Sequence, residues 1–365
     1  MGEIVDSSDQ AVTQKAKGGK VSLTKNKFTY TGTGGEIFKI WIINILLSIV
    51  TLGIYSFWGK TKMRRYLASV LSIGGSRLEY TGTGKEIFMG FIKVFPLFAV
   101  AIGLVIFLQN PIVTLVVYAG LGFLALAGIY AGLKYKASRT TWRGIRAKVE
   151  GSIFKYALFR IKWLFLRAVS FGLLIPRADL RVTEYVYNNA YIGDAKFHFK
   201  FSDDSLKTLF RRHMATLLFY VIALIIFVAG FAVAGFSTIL SVLLVFVGVI
   251  GMVISRVPYK VTLIKEQMKY LYLVDNKKQF LRFKSTISLK EYVKFQLKIA
   301  CLVIFTFGLG IPFVIHANMK FVVEHLIIGG ELDKLELGQA SGPREGNEGI
   351  EDLFTGDDGL GAFVG

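Results

Sequence analysis

Tyr30-Thr31-Gly32-Thr33-Gly34-Gly35-Glu36-Ile37-Phe38 returns fifty residues later as Tyr80-Thr81-Gly82-Thr83-Gly84-Lys85-Glu86-Ile87-Phe88. Each copy follows a short alternating run and opens a long apolar one, so the unit reads strand, turn, apolar helix. Thr33 and Glu36, like Thr83 and Glu86, have capping-box spacing: the hydroxyl accepts from the third backbone N–H and the carboxylate reaches back. Ser288 and Glu291 repeat it. We read these six residues as helix starts at a membrane surface, not as proton carriers or ligands.

The composition sets the environment. The chain is 53% hydrophobic with mean hydropathy +0.52, too apolar for an ordinary soluble protein. Residues 214–255 hold no Asp, Glu, Lys or Arg, enough for two spans of ~20 residues. Residues 87–133 carry one charge, Lys93, and break at Gln109-Asn110-Pro111. The sequence therefore predicts spanning pairs at about 87–133 and 212–256. Residues 1–27 are polar and lack the apolar core of a signal peptide. The net charge of +19 needs no nucleic acid: basic residues gather on the cytoplasmic side and meet anionic headgroups there. Residues 1–22 read as a flexible basic arm and 23–337 as one membrane domain. Residues 338–365, with six acids, one Arg and many glycines, read as a disordered acidic tail.

Aligning the glycines gives a three-fold repeat. Thr51-Leu52-Gly53-Ile54, Ser170-Phe171-Gly172-Leu173 and Thr306-Phe307-Gly308-Leu309 share one pattern. Twenty-one residues after Gly53, Gly172 and Gly308 stand Gly74, Gly193 and Gly329; thirteen after them stand Tyr66, Tyr185 and Phe321. The later glycines suit two-residue hairpin turns, as do Arg143-Gly144 and Asp275-Asn276. Alternating runs follow at 77–80, 145–149, 196–201, 280–284 and 332–337. Such short strands cannot stand alone, so a small sheet outside the bilayer is expected.

The Gly-broken segments, about 36–58, 152–176 and 291–315, decide the number of spans. The middle one carries Arg160, Lys162 and Arg167, each costing ~2.5–3.5 kcal/mol at a helix centre. Its uncharged remainder, 168–176, is too short to span. If all three crossed, the basic sets at 59–86 and 176–213 would face opposite sides. With all three re-entrant, every basic collar and both termini are cytoplasmic. We expect an α-helical integral membrane protein with four spans, short cytoplasmic β-hairpins and three re-entrant segments.

No catalytic constellation emerges. Gly59-Lys60-Thr61 lacks the earlier glycine of a P-loop, because Ile54 stands in its place. His198, His213, His316 and His325 have no metal-ligand spacing, and the single Cys301 has no partner for a disulfide. We expect no enzyme, no cofactor and no bound metal.

Phe28-Thr29-Tyr30-Thr31-Gly32-Thr33-Gly34, Thr51-Leu52-Gly53-Ile54-Tyr55 with Trp58, and Arg65-Tyr66-Leu67 resemble the YjgN family, bacterial multi-pass inner-membrane proteins of unknown function. The likeness runs over roughly 23–337, more loosely after 150. Family members often have Pro where Phe57 stands. The resemblance implies the bacterial inner membrane and supplies no catalytic residues. On the residues alone, two readings follow. One is a scaffold whose basic segments, Lys60, Lys62, Arg64 and Arg65 with Arg177 and Arg181, grip anionic lipid or a cytoplasmic protein partner. The other is a channel or facilitator shaped by the glycine turns.

Overall fold

The computed structural model describes residues 25–275, 280–330, 332 and 337–339. The basic arm at 1–22 and nearly all of the acidic tail lie outside the described residues.

Ten short strands close into one barrel: β1 (Lys25–Tyr30), β2 (Leu71–Ile73), β3 (Ser76–Tyr80), β4 (Thr140–Trp142), β5 (Ile145–Val149), β6 (Ala190–Ile192), β7 (Ala195–Phe199), β8 (Leu271–Val274), β9 (Phe280–Ser285) and β10 (Leu326–Gly329). They follow chain order around the barrel, every neighbour antiparallel, and β1 pairs with β10 to close it. The expected hairpins therefore do not stand as a small sheet: closure removes both edges, which is how short strands avoid unpaired backbone.

The register fills the interior. Phe28 lies opposite Ile73, Leu78 opposite Trp142, Phe197 opposite Leu273, Leu273 opposite Leu281, and Phe283 opposite Ile328. With Ala195, Ile192 and Leu332 these side chains form one apolar cluster. Alternation sends Arg77, Glu79, Arg146, Lys148 and Lys196 to the outer face.

Between the strands the chain makes helices: α1 (Gly34–Val50), α2 (Ser56–Ser69), α3 (Gly84–Leu108), α4 (Pro111–Arg139), α5 (Ile153–Val169), α6 (Ile175–Tyr187), α7 (Asp203–Ala232), α8 (Thr238–Ser255), α9 (Val257–Tyr270), α10 (Leu289–Phe305) and α11 (Ile311–His325). Because consecutive strands alternate in direction, β1–β2, β3–β4, β5–β6, β7–β8 and β9–β10 are all joined at the same rim. Every helical excursion leaves that rim and returns to it. The tight turns lie at the other rim, with Gly74 (φ 55), Gly75 (φ 78), Arg143 (φ 53), Gly144 (φ 73) and Gly193 (φ 62) in the left-handed region, as two-residue hairpins require. Gly329 differs from expectation. It is a ladder residue, paired with Lys25 and Arg282, and Gly330 takes the positive φ instead. Its strand pairs with β1 to close the barrel. Of the run expected at 332–337, only Leu332 and Leu337 are among the described residues.

The excursions are of two kinds. Among the described residues, four helical stretches are long and apolar enough to cross a membrane: α3, α4, α7, and the run Thr238–Tyr270 formed by α8 and α9. The other three excursions are short hairpins, α1–α2, α5–α6 and α10–α11. Their first arms are all 17 residues long. Each starts from a hydroxyl cap twenty residues before its turn glycine: Thr33, Ser152 and Ser288 accept from the N–H of Glu36, Lys155 and Glu291.

The three turns share their hydrogen bonds. Gly53, Gly172 and Gly308 donate to Ser48 O, Arg167 O and Val303 O, five residues back. The hydroxyls of Thr51, Ser170 and Thr306 accept from the N–H of Tyr55, Leu174 and Gly310. The glycines have φ of 91, 84 and 86, and the residues before them, Leu52, Phe171 and Phe307, are also left-handed. A left-handed conformation is one that glycine adopts without Cβ strain.

Candidate lipid-facing site

At the tips of the short hairpins, Leu52, Phe171 and Phe307 are 94%, 93% and 95% exposed. The last turns of the first arms add Ile49, Val50, Phe165, Val169, Ile304 and Phe305, all exposed. These are the ends farthest from the barrel. Basic residues of α2 sit nearer the barrel, so the first hairpin grades from cationic base to apolar tip.

The structure divides the predicted lipid contacts. Lys62, Arg65 and Arg177 are exposed, while Lys60 and Arg64 are half-buried. Arg64 reaches the Tyr80 hydroxyl at 3.5 Å, and Arg65 donates to Gly82 O at 2.8 Å. Arg181 is paired with Glu184 at 2.7 Å and lies over the Phe201 ring. Lys62 and Arg65 join Lys85, Tyr55, Trp58, Thr61, Thr83 and Gly84 around a cleft of about 330 Å³ between α2 and the start of α3. Arg64 is thus engaged with the end of β3, and Arg181 with Glu184 and the Phe201 ring.

The caps hold two reciprocal boxes, at Thr83/Glu86 and Ser288/Glu291. The two Ser288 bonds hold the Glu291 carboxyl below its usual range. The first box differs. The Tyr66 hydroxyl inserts, donating to Glu36 Oε2 and accepting from Thr33 N–H. Glu36 is thus a bridge between the arms of its hairpin. Tyr66 stands thirteen residues after Gly53; thirteen after Gly172 and Gly308, Tyr185 stacks on Phe159 (5.1 Å) and Phe321 on Phe295 (4.1 Å).

Two polar clusters escaped the sequence reading. Glu86 Oε2 accepts from Tyr135 Oη at 2.8 Å and Arg139 Nε at 3.1 Å, tying the start of α3 to the end of α4. Arg167, near the α5 tip, is paired with Asp179 of α6, whose second oxygen accepts from Tyr259 Oη of α9 at 2.6 Å. His213 Nε2 lies 3.0 Å from Gly172 O at the turn itself. Of the charges that count against a spanning α5, Arg167 thus has a local partner, and the only hint of it in the sequence is a lone Asp179 twelve residues later.

Each histidine has a structural neighbour: His198 stacks on Tyr272, and His325 Nδ1 donates to Phe321 O. His316 Nδ1 lies 3.1 Å from Tyr30 Oη. Burial, with Tyr66 and Glu36 nearby, pushes Tyr30 up to about 12, so the phenol donates and neutral His316 accepts. Burial and then Lys320 and Lys298 lower the His316 pKa. With the folded value below the unfolded ~6.5, its contribution is present above pH 6.5 and is lost as pH falls toward the folded value. Thermal unfolding should thus show stability falling from pH 7 to 5, and His316→Asn should flatten that slope.

The four helical stretches long and apolar enough to cross a membrane, set beside the closed barrel and the short hairpins, mark a membrane protein. A family model, "Bacterial protein of unknown function (DUF898)", matches residues 25–353, and the chain belongs to that family. Similar proteins include inner membrane protein YjgN of Escherichia coli O157:H7, 30% identical over 127 residues, 35% of this chain and 32% of that protein. Inner membrane protein YjgN of Salmonella typhimurium strain LT2 is 25% identical over 175 residues, 45% of this chain and 42% of that protein. The chain thus spans less than half the length of these relatives in the matched segments. No solved structure matches.

Proposed function

We propose that the protein is a non-enzymatic platform in the bacterial inner membrane. Two spanning pairs anchor it, and the short hairpins, three copies of one unit, enter only the cytoplasmic leaflet. They hold the barrel against the membrane surface, where it grips anionic lipid or a partner protein. The observation that carries this reading is the near-complete exposure of Leu52, Phe171 and Phe307, which an apolar environment favours and water does not.

Helix length supports it. At ~1.5 Å per residue, α3, α4 and α7 reach about 38–45 Å from the barrel, and α1 and α2 about 21–25 Å. Crossing ~30 Å of hydrocarbon leaves about 8–15 Å of each long helix between barrel and bilayer. The short hairpins then enter the bilayer by roughly 10 Å. A channel is the second reading. The apolar side chains filling the barrel, Trp142, Leu273, Leu281 and Ile328, favour a platform over a path along its axis.

Cysteines at Leu52, Phe171 and Phe307, carrying a fluorophore in reconstituted protein, should all be quenched by lipids brominated on the acyl chain and not by iodide. Iodide quenching from the side opposite the barrel would refute a one-leaflet insertion. Solute flux above that of protein-free vesicles would support the channel.

A further inference from the structure

We propose that the cleft between α2 and the start of α3 binds the phosphate of an anionic phospholipid. Lys62, Arg65 and Lys85 are its cationic wall, and Trp58 and Tyr55 its membrane-directed wall. The proposal rests on the reading that α1–α2 enters the near leaflet.

Tyr55, Trp58, Lys62 and Arg65 recur at helical spacing and share one face of α2. That face runs ~15 Å, from the aromatic end near the turn to the cationic end near the barrel. This matches the order of a phospholipid, phosphate toward the barrel and glycerol toward the tip. None of the eight lining residues is acidic, and the nearest carboxylate of α3, Glu86, is engaged by Tyr135 and Arg139. Arg65 is oriented by its bond to Gly82 O, which uses one of its five donors.

Gly84 brings the start of α3 against the α2 backbone: a Cβ there would lie 2.7 Å from Trp58 Cα. The first-turn N–H groups of Gly84 and Lys85, which have no intrahelical acceptor, therefore border the cleft beside the three cations.

The other short hairpins supply a comparison. By turn-glycine spacing, the positions of Lys62 and Arg65 become Arg181 and Glu184 in α6, which neutralise each other. In α11 they become Ala317 and Lys320, and Lys320 is 4.0 Å from Glu324. The first hairpin alone presents two cations at these positions without an acid beside them. This selectivity points to a built anion site, not a general basic surface.

Purified protein should be titrated with phosphatidylglycerol and phosphatidylcholine by native mass spectrometry. Lys62→Gln/Lys85→Gln should keep the parental melting temperature, since both side chains are exposed, and bind phosphatidylglycerol about tenfold or more weakly, as two removed charges near an anionic group imply. Arg77→Gln, on the outer face of the barrel and outside the cleft, should change nothing. Trp58→Ala should weaken the lipid further. Inorganic phosphate and glycerol 3-phosphate at millimolar concentration should fail to displace the lipid; efficient displacement would assign the cleft to a soluble phosphate compound and overturn the lipid proposal. Unchanged phosphatidylglycerol binding in the folded double variant would overturn the cleft itself. A parent protein that binds phosphatidylglycerol no better than phosphatidylcholine would also overturn the cleft, while quenching at the hairpin tips decides separately the leaflet-inserted reading beneath it.

Discussion

Glu86→Ala is expected to destabilise the protein by about 1.5–3 kcal/mol, the worth of a hydrogen bond to a charged group. Arg139 is 2% exposed, and the Glu86 carboxylate is the acid within reach of its Nε. The same oxygen takes the Tyr135 hydroxyl, and its cap bond to Thr83 N–H stands at 3.4 Å. One carboxylate thus fastens the barrel-side ends of the first spanning pair. Arg139 O also accepts from Thr81 N–H at 2.8 Å, so slack at this point spreads to the start of β4. Tyr135→Phe should lose only about 1 kcal/mol, as one hydrogen bond does. Glu86→Ala/Arg139→Met should recover part of the loss, because an apolar replacement of a buried pair is often tolerated. Melting temperatures of detergent-purified variants give the order; a Glu86→Ala loss no larger than that of Tyr135→Phe would show the pair to be solvated.

Gly248→Leu should cost about 3 kcal/mol or more by overpacking. A Cβ at Gly248 would sit 2.6–2.7 Å from Phe227 N, Cα and Cβ, and backbone cannot rotate away. Along the same seam Gly230 faces Val245 and Ser241 O, and Gly251 faces Ala223. Small residues let α7 and α8 approach closely, as membrane helices do to gain packing contacts. Gly120→Ala in α4 is the contrast: nothing lies within 4 Å of its Cβ position. That change should be neutral or stabilising by up to about 1 kcal/mol, the helix preference of Ala over Gly. Equal losses at Gly248 and Gly120 would mean the α7–α8 seam is not close-packed.

Much of the fold is legible because its signals are local. The hairpin turns at Gly74, Arg143 and Gly193, and the outgoing strands β3, β5, β7 and β9, are marked by turn chemistry and alternation. The returning strands β2, β4, β6, β8 and β10 have three or four residues, too few for a period of two to register. Closure of β1 on β10 joins the two ends of the described chain, and no local pattern encodes it. The capping boxes at Thr83 and Ser288 are contiguous in sequence and are found there. The altered one at Thr33 is not, because Tyr66 arrives from thirty-three residues away. Ser152 carries no box signal, because Lys155 stands where a box has an acid; its mark in the sequence is the twenty-residue spacing to Gly172. The cleft formed by Lys62, Arg65 and Lys85 was half visible: the two α2 residues lie in a basic run, while Lys85 joins them only through the packing of Gly84 on Trp58.

The central claim is that every helical excursion leaves one rim, so all tight turns share one side of the membrane. On a Cys301→Ala background, single cysteines at Ser76, Asp194 and Gly235 should be treated with an impermeant thiol reagent in intact spheroplasts. The account predicts labelling at Gly235, in the α7–α8 connection, and none at Ser76 or Asp194 until the membrane is opened. Labelling of one of Ser76 and Asp194 without the other would put the two turns on opposite sides and contradict it.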